Sequence, residues 1–202
     1  MKIRVSVSQR LNLAFFILVS LIIAAVGIGV LFSISTIKST SAIRQGAQQI
    51  ENVHMLQFQW FSIVSSVDSL IQTRSITHQE TLLNHIQEFN SELTTLSSQS
   101  VGFDQESAQA NRTILANVER ISQELDVIME ELNQFAIQGR WGSALTLRQT
   151  KLTRLQNELE AELSQLSDNI QGDVAGALNS TVQAQQMTGQ YWVILSILAV
   201  VF

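Results

Sequence analysis

The chain has 202 residues, 46% of them apolar, and contains neither cysteine nor proline. Twelve basic and 17 acidic residues leave a formal charge of −5, with no basic stripe to neutralise phosphates, which argues against a nucleic-acid partner. Without cysteine there is no disulfide framework, thiol chemistry or common zinc site; without proline, long uninterrupted helices are permitted.

Lys2, Arg4 and Arg10 mark residues 1–12 as a short basic tail. The uncharged run Leu13–Phe32 follows, and about 20 apolar residues suffice for a helix to cross a hydrocarbon core of roughly 30 Å. This run exceeds the apolar stretch of a typical cleaved signal and has no clean small-residue cleavage site after it, so an uncleaved anchor is expected. The basic tail should remain cytoplasmic, which places residues 33–190 outside the cytoplasm. All 17 acidic residues lie in that region with nine of the basic ones, a net of −8.

The first helix is expected to run on to about Arg74. Val53, Leu56, Trp60, Ile63, Val67 and Leu70 alternate three and four apart as a heptad seam. A second apolar line, Ile43, Ala47, Ile50, Phe61, Val64 and Ile71, would widen the buried face. Thr77 and Glu80 have capping-box spacing for a second helix with the seam Leu82, Ile86, Phe89, Leu93 and Leu96. Residues 97–105 read as a loop, with Asp104 as N-cap of a third helix. That helix carries Ile114, Val118, Ile121, Leu125, Ile128, Leu132 and Phe135. Gly139 and Gly142 bracket a corner, and a fourth helix follows with Leu145, Leu152, Leu155, Leu159, Leu163, Leu166, Ile170 and Val174. No β-branched alternation between turn residues recurs. The fold class expected is all-α: an antiparallel up-down-up-down four-helix bundle, two of whose helices continue into the membrane. Tyr191–Phe202 reads as the start of a second span, with Tyr191 and Trp192 at its interface. Gly172, Gly176 and Gly189 would allow close helix approach in a thinner stalk near the membrane.

Tail, span, helical domain and second apolar run together resemble the sensor region of bacterial transmembrane receptors, the chemoreceptors and sensor histidine kinases with four-helix-bundle input domains. The phrase Ser8-Gln9-Arg10-Leu11-Asn12-Leu13-Ala14-Phe15 is similar to their entry into the first span. The corner Gln138-Gly139-Arg140-Trp141-Gly142-Ser143-Ala144-Leu145 resembles their turn between the third and fourth helices. The resemblance implies a bacterial inner-membrane protein that works as a homodimer in chemotaxis or two-component signalling. Any catalytic output domain would lie beyond Phe202, and no ligand is named by it.

Chemistry within the chain is sparse. His54, His78 and His85 have no metal-ligand spacing, and there is no nucleophile elbow, phosphate loop or dinucleotide glycine motif, so no enzyme, metal or cofactor is expected. Polar residues on apolar seams are the stronger signal. Asp68 and Arg148 should meet as an ion pair at the centre of a polar layer completed by His85 and Glu131. Such a pair is weak evidence for stability, because desolvation can cancel the Coulomb gain; its value would lie in register or in ligand binding, against the plainer reading of a partly exposed ion pair with no ligand. Arg74, Arg140 and Arg148 beside Trp141 form a candidate site for a small anion, since the guanidinium fork matches carboxylates and oxyanions. Against this, Arg74 also suits a helix C-terminus and Arg140 a solvated corner. The expected function is the input module of a homodimeric receptor, contacting membrane lipid and a small anion or an extracytoplasmic binding protein. A structural or accessory subunit of a membrane complex is the alternative.

Overall fold

The computed structural model describes residues 7–75, 78–99 and 105–201, and every regular element among them is helical. Helix α1 spans Val7–Thr73, α2 Gln79–Ser98, α3 Gln105–Ile137 and α4 Trp141–Leu147. A π-helical turn, Arg148–Leu152, joins α4 to α5, Thr153–Val201. The protein is all-α. Thr77 and Asp104, the expected caps, lie outside the described residues; α2 starts two residues after Thr77, with Glu80 in its first turn.

The chain divides into two compact units, Met1–Arg44 with Ala175–Phe202 and Gln45–Val174. The second is narrower than the 33–190 span read from composition. Its core is a single apolar cluster. The α1 seam from Val53 to Leu70 is buried, as are Leu82, Ile86, Phe89, Leu93 and Leu96 of α2 and the α3 seam from Ile114 to Leu132. Leu152, Leu155, Leu159, Leu163, Leu166 and Ile170 close it, with Phe135 and Val174 packed on its margin. Each fully buried aliphatic or aromatic side chain contributes roughly 1.5–3 kcal/mol of transfer free energy. That is why the three-four spacing, rather than helix propensity, decides which face turns inward.

Three expected core residues are outside, Ala47 on the second line of α1 being one of them. Phe61, placed on a second buried line of α1, is 69% exposed, whereas Val64 on that line is buried and Ile50 and Ile71 are partly so. Leu145, the expected head of the fourth seam, is 44% exposed, and Ala144 and Leu147 are buried instead. The π turn is the cause: it adds a residue to one helical turn and rotates everything before it relative to α5.

The corner between α3 and α4 follows from one glycine. Gly139 has φ +68°, Gly139 N–H donates to Ala136 O at 3.1 Å and Arg140 N–H to Phe135 O at 2.8 Å. This pair of bonds is the Schellman closure of a helix C-terminus, and its left-handed residue suits glycine. Arg74, the residue after α1, is also left-handed, at φ +51°.

In the other unit, the N-terminal part of α1 holds a stretch of mean hydropathy 1.8 with none of it buried. Phe15, Phe16, Ile22, Ile23, Val26 and Val30 are exposed. By length and composition this helix can cross a membrane, and it is the one described helix that meets that measure. Tyr191–Val201 continues α5, with Tyr191, Trp192, Val193 and Ile194 exposed, while Phe202 lies outside the described residues. A Cβ at Gly172, Gly176 or Gly189 would meet nothing within 4 Å. The close helix approach expected at those glycines is therefore absent among the described residues.

Candidate functional site

The structure brings Asp68 of α1 and Arg148 of the π turn together. Arg148 Nε donates to Asp68 Oδ1 at 2.7 Å and Nη2 donates to Oδ2 at 2.9 Å, the parallel two-point geometry that a guanidinium forms with a carboxylate. The third corner of the fork, Nη1, donates to Thr153 Oγ1 at 2.9 Å, and that hydroxyl donates to Arg148 O at 3.2 Å. A closed loop thus ties the first residue of the π turn to the first residue of α5. The hydrogen bond to Asp68 holds the Arg148 guanidinium above its already high ordinary pKa, against the opposing effect of burial. The pair stands at the edge of the core, its side chains 20% and 40% exposed.

His85 and Glu131 do not join this pair. His85 Nδ1 lies 3.2 Å from Gln59 Oε1 and 3.6 Å from Glu88 Oε2, while Lys151 Nζ donates to Glu131 Oε2 at 2.7 Å. The expected polar layer is three separate pairings, none fully buried, because the long Arg and Lys side chains carry their charges outward from the seam. Sequence reasoning did not single out Thr153, nor Gln59, which is buried in the α1 seam beside His85. The sequence carried no signal for Thr153: Leu145 and Leu152 are seven apart, as an unbroken helix allows, and the burial of Leu147 in place of Leu145 comes from the fold.

The four residues of the candidate anion site are dispersed among different contacts. The Arg148 fork is filled by Asp68 and Thr153. Arg140 lies over the Phe135 ring at 4.8 Å and donates to Ser143 Oγ at 3.3 Å, a cation–π contact that orients it along the corner. Trp141 packs on the core, so its ring is structural here, and Arg74 is exposed at the end of α1. Beside the corner a shallow groove of ≈ 360 Å³ runs between Glu131, Phe135, Thr146 and Lys151. Trp60 is also core, its ring centroid 5.8 Å from that of Phe89, with its indole N–H buried and without an acceptor among the described residues.

Between α3 and α5 an exposed network joins Arg120, Glu124, Arg154 and Glu158, with Arg154 bonded to both carboxylates and Arg120 to Glu158 at 3.3 Å. Desolvation pushes the Glu158 carboxyl up, but its bonds from Arg120 and Arg154 outweigh that and hold it below the ordinary value. Asp126, facing the apolar groove at Leu82 and Met129, is raised by desolvation. No cluster of potential metal ligands occurs among the described residues. Compared with protein families, with curated protein sequences and with solved structures, the chain matches none.

Proposed function

We propose that this chain is the input region of a homodimeric transmembrane receptor of the chemoreceptor or sensor-kinase type. In this reading Gln45–Val174 is an antiparallel four-helix bundle outside the cytoplasm, and α1 and α5 pass into the membrane. The observation that carries it is the pairing, within one helix, of an apolar stretch, none of which is buried, with a core-forming seam. A helix apolar on every side needs either a protein core or lipid around it, and α1 has no core over its N-terminal stretch.

Met55, Phe58 and Phe61 are exposed on α1 beyond the buried seam and supply the face for a second copy. The partners are then membrane lipid, a second protomer, and a small anion or an extracytoplasmic binding protein received near Arg74 and Arg140. Binding acts by favouring one packing of the bundle over another. Because α5 holds residues of both compact units, a displacement on the order of 1–2 Å, typical of switching helices, can pass along its backbone. Topology is the first test. With no native cysteine, Leu145→Cys is a unique thiol, and an impermeant maleimide should label it in intact cells; labelling only after lysis overturns the reading. Phe58→Cys should cross-link between protomers in membranes, and a monomer throughout would count against the dimer.

A further inference from the structure

The apolar residues around the π turn support two helical registers. In the structure Ala144, Leu147 and Leu152 are buried together, and the five-residue step from 147 to 152 is closed by the π turn. An unbroken α-helix turns about 100° per residue, so it would instead align positions 145, 148 and 152 on one face. Leu145 and Leu152 suit that second register, and Leu145 stands 44% exposed in the first. The residue that spoils it is Arg148, which would occupy the core place now held by Leu147. A buried polar residue that admits one register and excludes another is the best-attested role of such groups.

We propose that the Asp68–Arg148–Thr153 network is a register selector for the segment Trp141–Leu147, which has two packings of the same sequence. In the observed packing Asp68 and Thr153 hold the guanidinium at the core edge and keep the π turn in place. In the other, the turn becomes α-helical, each residue of Trp141–Leu147 moves into its predecessor's place, and Leu145 enters the core as Ala144 leaves it. The surplus residue passes to the corner, where Gly139 already adopts φ +68° and Gly142 has no neighbour within 4 Å of an added Cβ. Its use in signalling rests on the receptor reading; the register itself does not.

Single cysteines at Ala144 and Leu145 in the full Met1–Phe202 chain, solubilised in detergent, read the two states by maleimide labelling. In the parent, Leu145→Cys should react at least tenfold faster than Ala144→Cys. Adding Arg148→Leu should reverse the order, and adding Asp68→Ala should lower the ratio at least threefold. Deleting Gln149 from the Arg148→Leu chain removes the surplus residue and should restore the parental order. The proposal is overturned if both substitutions leave the ratio unchanged, or if both rates rise together, which reports fraying of the corner. If the Arg148→Leu chain does not fold, the Asp68→Ala comparison decides alone. No output is measured, so a failed selector and a failed receptor reading give different results.

Discussion

Asp68 and Arg148, 80 residues apart in the chain, are joined by two parallel hydrogen bonds while both side chains keep contact with water. Solvent screening keeps such a pair well short of its vacuum strength, yet the two-point geometry places it at the upper end of surface pairs. A double-mutant cycle with Asp68→Ala and Arg148→Ala should give a coupling of about 1 kcal/mol in urea unfolding, shrinking with added salt. A coupling indistinguishable from zero would mean that the two groups are neighbours without mutual stabilisation.

The π turn holds one residue more than the α-helical seam requires. Deleting the exposed Gln149 should turn it into α-helix while leaving Leu147 and Leu152 on the core, and Tm should shift by no more than about 2–4 °C, the equivalent of roughly 1 kcal/mol. Deleting the equally exposed Glu160, inside regular α5, rotates one half of the seam off the core and should abolish cooperative unfolding. Equal damage from the two deletions would contradict this account.

Arg74 and Gly139 occupy the same left-handed conformation with opposite suitability. Arg74→Gly should stabilise the chain by up to about 1 kcal/mol, because the left-handed region disfavours side chains bearing a Cβ. Gly139→Ala should cost about 1–2 kcal/mol for the same reason. Urea midpoints of the two variants should move in opposite directions.

Two carboxylates predict opposite effects of acid. Glu158 has a folded pKa below its unfolded value, so its contribution is complete above the ordinary carboxylate pKa of about 4.3 and is lost as pH falls through the folded value. Asp126 has a raised folded pKa, so its charge opposes folding at neutral pH and that cost disappears as pH falls through the raised value. Glu158→Gln should flatten the acid limb of a Tm-against-pH curve. Asp126→Asn should raise Tm at pH 7 and converge with the parent at low pH.

Periodicity alone made most of the helical seams legible. Val53 to Leu70, Leu82 to Leu96 and Ile114 to Leu132 are buried at the positions their three-four spacing indicates, because an uninterrupted α-helix offers only one face that satisfies every apolar residue. The absence of proline and the missing strand alternation determined the class, and the apolar run behind the basic tail determined that α1 can enter a membrane. Tertiary structure decided the rest. Whether Leu145 or Ala144 turns inward depends on a π turn whose stability comes from Asp68, a residue remote in sequence. Whether Phe61 is buried depends on how many neighbours α1 has, and no single-chain period encodes that number. His85 and Glu131 found partners at Gln59 and Lys151, since long side chains choose among neighbours that only packing supplies.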